Sequence, residues 1–140
     1  MCGIVAVTGY KKALPLLING LEKLEYRGYD SAGIAIINSE TNSISCNKAE
    51  GKLKNLKSNL NDHNIPGTVG IGHTRWATHG KPEVKNAHPH TDSSGNIAVV
   101  QNGIIENFQD LKNKLEEEGI IFNSDTDTEV IPHLIQRELN

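Results

Sequence analysis

Four segments of the chain repeat apolar residues at three- and four-residue steps, the spacing of one helix face. Helices are therefore predicted at residues 14–24, 51–60, 108–115 and from 130 onward. Asn107 is a suitable N-cap for the third helix, and Gly119 a suitable stop. Thr126 and Glu129 form a capping-box pattern before the fourth. Pro132 lies too deep for that cap, so this helix either starts later or kinks there.

Runs of β-branched and apolar residues between the helices predict strands. They are expected at residues 3–8, 32–37, 43–48, 68–74 and 97–101, and the first two are expected to be buried. Residues 75–96 are rich in His, Thr, Pro, Asn and Gly and predict a long loop, which in a compact domain is usually functional or disordered. Mixed strands and helices without repeats or linkers predict one domain of the α+β class over residues 1–140.

Composition narrows the functional class. The 140 residues include 14 Lys and Arg against 17 Asp and Glu, a formal charge of -3, and no basic stripe that would suit a nucleic acid. The apolar runs are far shorter than a membrane span, and no signal-peptide pattern is present. Two cysteines without such a signal predict free thiols and a cytoplasmic location.

Cys2 directly follows the initiator Met1, so removal of Met1 would leave one residue with both a thiol and a free α-amine. The amine titrates at about pH 7.7–8.0 and the thiol at about pH 8.5. A nucleophile and a base would then share one residue near working pH. The alternative is a small buried residue that opens the first strand, because free cysteine is often buried.

Acyl transfer by a thiol also needs donors to the developing oxyanion. Asn102 and Gly103 close a predicted strand and offer a side-chain amide beside an unhindered backbone N–H. The same dipeptide is the strongest short signal for a hairpin turn, which is the competing interpretation.

A substrate clamp is the remaining requirement. Arg75 at the start of the long loop could bind a substrate carboxylate through two N–H groups. The alternative is a surface arginine. Asp127 could hold a substrate ammonium, or it could be an acidic residue favoured by the dipole at a helix N-terminus.

Four histidines lie in or beside the long loop: His73, His79, His88 and His90. A metal site at His88 and His90 is weakly supported, since Pro89 separates them and no Cys-x-x-Cys pair accompanies them. No metal or cofactor is predicted. His79 is better interpreted as a group that orients or gates a ligand. Asp30 and Ser31 could form a set with His79, but no nucleophile-elbow pattern surrounds Ser31.

Six ordered segments of the chain form a recognisable set: MCGIV at 1–5, LEYRGYDSAGIA at 24–35, GHTRWATHG at 72–80, NAHPH at 86–90, VQNGIIEN at 100–107 and TDTEV at 126–130. Together they resemble the class II glutamine amidotransferases, and among them the glutaminase domain of the glutamine–fructose-6-phosphate aminotransferases. The resemblance runs from residue 1 to about residue 136. It implies the N-terminal nucleophile hydrolase fold, an αββα sandwich.

The resemblance also implies a role for each matching residue. Cys2 would be the processed nucleophile, and Asn102 and Gly103 the oxyanion pair. The others would bind or close over glutamine or organise the site: Arg75 at the α-carboxylate, Asp127 at the α-ammonium, Trp76, Thr78 and His79 on a closing loop, and Arg27 near the nucleophile. The implied partners are glutamine and, through further domains, fructose 6-phosphate, in a homodimer.

One departure from the family is expected to matter. The family's glutaminase domain is longer and is followed by sugar-isomerase domains, so the sandwich is expected to be incomplete at the C-terminus. Two alternatives stay open: a class II amidotransferase that delivers ammonia to phosphoribosyl pyrophosphate or an aspartyl adenylate, and a fragment that binds glutamine without catalysis.

Overall fold

The computed structural model describes residues 2–60, 64–77 and 80–140. A four-stranded antiparallel sheet is built from strands β1 to β4, in the order β1-β4-β2-β3. Strands β5 and β6 form a second, two-stranded antiparallel sheet. The strand bounds are Gly3–Val7, Ser31–Asn38, Ser43–Glu50, Gly70–Arg75, His90–Thr91 and Ala98–Val99, from β1 to β6.

Four α-helices accompany the sheets, as the apolar periodicity predicts. They are α1 (Ala13–Leu24), α2 (Leu53–Asn59), α3 (Phe108–Glu117) and α4 (Val130–Leu139), with short 3₁₀ turns at Glu25–Arg27 and Val84–Asn86. Within the described part of the chain, no helix has the length and apolar character needed to cross a membrane.

The hydrophobic core lies between the larger sheet and helices α1 and α2. Leu17 and Leu21 of α1 and Leu56 of α2 are fully buried against Ile34 and Ile36 of β2. These apolar faces form because leucines recur at helical spacing and the strand residues alternate at period two. This layer covers the larger sheet on one side.

The segment that leads into β5 packs against the other face of the larger sheet at His88 and Pro89, and α4 contacts β5 and β6. Gly33 of β2 lies where the layers meet, because a Cβ placed there would be 1.9 Å from the carbonyl oxygen of His88. The order of layers is helices, large sheet, small sheet, helices. This is the predicted αββα arrangement.

The strand register decides which side chains face the small sheet. Gly3 of β1 pairs with Thr74 of β4, and Ile4 pairs with His73. Because side chains alternate along a strand, His73 and Arg75 share the inner face with the residues at even positions of β1. The chain enters β1 from Cys2, which therefore lies on that face.

Several local expectations were wrong. Ile4 is 39% exposed, so β1 alternates rather than being buried. Asn107 precedes α3 but makes no side-chain capping bond, and the predicted capping box is absent because Glu129, not Thr126, is the N-cap residue of α4. Pro132 is the third residue of α4, within its first turn, so the helix starts later than the capping pattern predicts. Gly119 ends α3 at a φ of 94°, as expected.

The region predicted as one long loop is mostly irregular, but it also contains strand β5 and the 3₁₀ turn at Val84–Asn86. Arg75 does not open this loop, because it is the last residue of β4. The irregular backbone after it lies next to Cys2, at the end of the β1–β4 ladder.

Candidate active site

An open pocket of about 440 Å³ lies at the end of the larger sheet. Its volume is in the range of small-molecule sites, about 300–1,000 Å³. Most of the predicted site residues line it: Cys2, Arg27, Arg75, Trp76, Asn102, Gly103 and Asp127. Thr78 and His79, predicted on a closing loop, lie outside the described residues, as does Met1.

Cys2 is held by hydrogen bonds from the Trp76 backbone and from the Arg27 side chain. Its Sγ accepts the Trp76 backbone N–H at 3.2 Å and lies 3.5 Å from the Trp76 carbonyl oxygen. Arg27 Nε donates to the Cys2 carbonyl oxygen at 3.3 Å. Cys2 and Cys46 are both free, and the thiol of Cys2 is half-buried. The sulfur is therefore fixed in position and still reachable from the pocket.

Asn102 joins Cys2 to the interior of the sheet. Its Nδ2 donates to the Cys2 carbonyl oxygen at 3.1 Å, and its Oδ1 lies 2.8 Å from His73 Nε2. Asn102 and Gly103 follow β6 and lead toward α3 rather than to a paired strand, so the hairpin interpretation is wrong. Both residues are exposed toward the pocket.

Arg75 is 3% exposed, so the interpretation as a surface arginine is also wrong. Its Nη1 donates to the Lys81 carbonyl oxygen at 3.1 Å and its Nη2 to the Gly80 carbonyl oxygen at 3.2 Å. Burial lowers the pKa of Arg75, while the nearby Asp30, Cys2 and Asp127 act in the opposite direction. The guanidinium keeps its charge, so the pocket contains a buried cation.

Backbone turns beside the pocket are tied to the sheet by Asp30. The Ala77 backbone N–H donates to Asp30 Oδ2, and the Asp30 N–H donates to the Arg75 carbonyl oxygen at 3.2 Å. The half-exposed ring of Trp76 meets Tyr29 edge to face, with ring centroids 5.9 Å apart. The segment that follows Arg75 is therefore anchored at its start.

Asp127 is 3% exposed and precedes α4. Its Oδ2 accepts the Ile105 backbone N–H at 2.8 Å, while Oδ1 is 3.5 Å from Thr128 Oγ1. The carboxylate thus binds the segment after Gly103 rather than an N–H of the first turn of α4. It places a negative charge in the same pocket as the Arg75 cation.

Glu129 fixes the backbone that carries Asp127. Its carboxylate accepts the backbone N–H groups of Asn123 and Ser124 and faces His133 Nε2 at 3.1 Å. Burial alone would raise the pKa of Glu129, but the hydrogen bonds from His133, Ser124 and Asn123 lower it to about 2. A charged, fully bonded Glu129 therefore holds residues 123–129 in one conformation.

Three buried histidines lie at the wall of the pocket or behind it. The rings of His73 and His88 stack with centroids 4.2 Å apart, and His90 meets His88 edge to face at 4.6 Å. Burial lowers the pKa of His73 to about 4 and that of His90 to about 3, and it also lowers the pKa of His88. All three imidazoles are neutral at neutral pH. Among the described residues, no group of three or more His, Cys, Asp or Glu side chains could hold a metal ion.

Five pocket residues were not predicted as site residues: His88, Gln101, Ile104, Thr126 and Thr128. Thr128 Oγ1 donates to Gln101 Oε1 at 2.8 Å, which connects the strand end to the Asp127 segment. A Cβ at Gly103 would lie 2.8 Å from Gln101 Nε2, so the glycine leaves room for this side chain. Adjacency in sequence to a predicted site residue was an available signal for four of them, since Gln101 and Ile104 flank Asn102 and Gly103, and Thr126 and Thr128 flank Asp127. His88 has no such neighbour and is brought to the pocket by tertiary structure.

A family model described as a glutamine amidotransferase domain matches residues 37–138. The chain belongs to the glutamine amidotransferase domain family. Glutamine amidotransferase domains with closely similar sequences occur in proteins named glutamine–fructose-6-phosphate aminotransferase (isomerizing), which confirms the predicted resemblance. One from Gloeobacter violaceus is 61% identical over 96% of this chain, and one from Pyrococcus horikoshii is 56% identical over 99%.

The amidotransferase domain spans about a fifth of the length of these curated relatives, 22% for the Gloeobacter protein and 23% for the Pyrococcus protein. Among solved structures, glutamine phosphoribosylpyrophosphate amidotransferase from B. subtilis, complexed with ADP and GMP, matches 98% of this chain with a TM-score of 0.80 and 31% identity. The match covers 29% of that chain.

A structure described as the allosteric regulatory enzyme of purine biosynthesis matches equally well, with a TM-score of 0.82, 32% identity, 98% of this chain and 30% of its own. Both solved structures have the N-terminal nucleophile hydrolase fold, so the predicted fold class of the amidotransferase domain is confirmed.

Proposed function

We propose that this domain hydrolyses the side-chain amide of glutamine, with Cys2 as the nucleophile once Met1 has been removed. The observation that carries the proposal is the pocket in which the Cys2 sulfur, the Asn102 amide, the Arg75 cation and the Asp127 carboxylate meet. Glutamine carries an amide to be cleaved, an α-carboxylate and an α-ammonium. The pocket offers a group of matching chemistry for each.

In the proposed reaction the Cys2 thiolate attacks the side-chain carbonyl carbon of glutamine. The Asn102 amide and the Gly103 N–H donate to the oxygen that becomes negatively charged, as in other oxyanion holes. The α-amine of Cys2 takes the thiol proton and passes it to the departing nitrogen, so the C–N bond breaks and ammonia leaves. Water then attacks the thioester, which releases glutamate and restores the thiol.

Arg75 and Asp127 are the proposed binders of the α-carboxylate and the α-ammonium. Both side chains are 3% exposed, so their charges act in a low-dielectric site where they are stronger than at the surface. Arg27 supports the site through its bond to the Cys2 carbonyl oxygen. Trp76, Thr78 and His79 are proposed to close over bound glutamine.

We further propose that the ammonia goes to fructose 6-phosphate and forms glucosamine 6-phosphate in a longer protein. The support is the 61% identity to an aminotransferase named for that sugar, against 31% to the enzyme named for phosphoribosylpyrophosphate. A homodimer and a cytoplasmic location stay predictions.

The nucleophile is tested by intact-protein and peptide mass spectrometry after treatment with an electrophilic glutamine analogue. The expected result is a protein without Met1 that carries one adduct, on Cys2. Cys46→Ser is the matched control and should label as fully as the wild type, whereas Cys2→Ser should not label. Retention of Met1 without any adduct would favour a non-catalytic fragment and overturn the proposal.

The acceptor is tested with the complete gene product. Glutamine supplied with fructose 6-phosphate should give glucosamine 6-phosphate, and glutamine with phosphoribosyl pyrophosphate should give no amino sugar. Product from the second acceptor alone would reassign the protein to the other branch while leaving the glutaminase step in place.

A further inference from the structure

The hydrogen positions around Asn102 are decided by chemistry. The Cys2 carbonyl oxygen can only accept, so the group 3.1 Å from it must be the Asn102 NH₂. The Asn102 Oδ1 then faces His73 Nε2 at 2.8 Å. Because an amide oxygen can only accept, His73 Nε2 must carry the proton of the neutral ring. The orientation of the Asn102 amide therefore decides which ring nitrogen of His73 carries the proton.

The His73 ring has little freedom to move. It is fully buried on β4, and the ring of His88 stacks on it with an interplanar angle of 12°. In the register, His73 pairs with Gly33 on one side and Ile4 on the other. Gly33 has no side chain, which leaves the space above the sheet to the backbone of His88. A rigid sheet element thus supports the donor.

Burial also keeps this ring in one protonation state, because it lowers the pKa of His73 to about 4. Neutral His73 has one N–H, and the Asn102 oxygen uses it. Nδ1 is buried and has no hydrogen-bond partner among the described residues. Asn102 Oδ1 is thus the side-chain partner found for this imidazole, and a backbone hydrogen bond with Gln101 also acts on the ring.

A planar amide has two N–H groups that point about 120° apart, and the terminal torsion of asparagine is broad and roughly two-fold. One N–H of Asn102 is used by the Cys2 carbonyl oxygen. The other lies in the plane of the amide, on a side chain exposed at the pocket wall. Whether it meets the reacting oxygen depends on what holds the amide against rotation.

We propose that His73 is a positioning residue for the glutaminase reaction: its Nε2–H holds the Asn102 carboxamide in the orientation that aims the second N–H at the developing oxyanion. This inference rests on the proposed function. His73 touches neither glutamine nor the Cys2 sulfur in this scheme and acts only through Asn102. Its loss therefore affects the transition state more than substrate binding.

The experiment compares His73→Gln with His73→Asn in the complete gene product. The amide nitrogen of glutamine reaches about as far as Nε2, whereas the shorter asparagine does not reach Asn102 Oδ1. Both replacements are neutral and polar. The orientation of an oxyanion donor is at stake, a group worth roughly 10²–10³ in kcat. Part of that should be lost, so His73→Asn should lower kcat by about 10–100-fold with KM nearly unchanged, and His73→Gln should recover most of it.

A double variant separates positioning from general damage. If His73 acts through Asn102, then His73→Asn combined with Asn102→Ala should be no slower than Asn102→Ala alone, within about twofold. Leu56→Val in the core on the far side of the sheet is the stability control. It should lower the melting temperature without lowering kcat.

Independent losses that multiply in the double variant would overturn the inference, and so would a loss confined to KM. Equal kcat values for wild type and His73→Asn would overturn it while leaving the glutaminase function standing. A wild-type protein that neither releases glutamate nor labels at Cys2 would overturn both.

Discussion

Asp127 Oδ2 accepts the backbone N–H of Ile105 at 2.8 Å. This bond ties the carboxylate proposed to hold the glutamine ammonium to the segment that carries the proposed oxyanion donors. The two parts of the site are 22 residues apart in sequence. This bond and the one between Thr128 and Gln101 fix their relative position, so a change at Asp127 should affect both binding and catalysis unless the oxygen is retained.

Asp127→Asn separates these contributions. The asparagine oxygen can still accept from Ile105, but the charge that would hold an ammonium is gone. Hydrogen bonds to charged groups contribute about 1.5–3 kcal/mol, so KM for glutamine should rise by about 10–100-fold with a smaller change in kcat. Steady-state glutaminase kinetics measure both constants.

Asp125→Asn is the matched control, since Asp125 is an exposed acid that pairs with Lys85 at 2.9 Å rather than entering the pocket. It should change KM less than about twofold, as expected for an exposed ion pair. A rise in KM of equal size in both variants would mean that general charge, not a specific contact, is responsible.

Asn102→Ala removes the proposed side-chain donor to the oxyanion. The expected result is a fall in kcat of roughly 10²–10³, measured by glutamate release. Asn107→Ala is the comparison, because Asn107 lies in the same segment but makes no capping hydrogen bond; its kcat should stay near that of the wild type. A fall of less than about tenfold for Asn102→Ala would remove the oxyanion role.

The buried histidines predict a loss of stability in mild acid. In the unfolded chain each ring takes a proton at about pH 6.5, whereas burial holds the folded pKa of His73 at about 4 and that of His90 at about 3. Between these limits the unfolded state binds more protons, so the free energy of unfolding falls as the pH falls. The slope should approach about 1.4 kcal/mol per pH unit for each histidine.

Urea denaturation at pH 7.5, 6, 5 and 4 measures this dependence. His90→Gln removes one titrating ring and keeps a polar partner for Thr126 Oγ1, which lies 2.7 Å from His90 Nε2. Its slope should be shallower than that of the wild type. Below about pH 4.5 the wild type should lose further stability, because Glu129 has a folded pKa of about 2 and an unfolded one near 4.5. A free energy of unfolding that is flat from pH 7.5 to 5 contradicts the prediction.

Gly33→Ala should destabilise the contact between the two sheets, since the added Cβ would meet the His88 carbonyl oxygen at 1.9 Å. Backbone atoms cannot swing away as a flexible side chain can, and overpacking usually costs about 1–3 kcal/mol. Urea denaturation at neutral pH checks this. Ile37→Val on the same strand is half-exposed and should cost less than about 0.5 kcal/mol. Equal costs would show that the sheets can separate locally.

The helices and most strands follow from sequence because their signals are local. Leucines at helical spacing place α1 and α2, and Gly119 ends α3 because its φ of 94° suits a residue without Cβ. The capping predictions fail where tertiary partners compete. Glu129 binds Asn123, Ser124 and His133 rather than completing a box with Thr126.

The site also combines residues that the sequence indicates with contacts that only the folded chain produces. Cys2 is indicated by its place after Met1, and Asn102, Arg75 and Asp127 by the family resemblance. The bond between His73 and Asn102 joins residues 29 positions apart, and no local pattern indicates it. The stacking of His73 on His88 likewise depends on two separate chain segments meeting over Gly33.

The register of β1 on β4 determines the face of the sheet on which the nucleophile lies. Gly3 is opposite Thr74, and this pairing puts Cys2 on the face of His73 and Arg75. Insertion of a single residue between Cys2 and Gly3 would turn the sulfur toward the core of leucines, because side-chain direction reverses at every step along a strand. Whether the nucleophile lies an odd or an even number of residues before the first paired residue of β1 therefore matters as much as its being a cysteine.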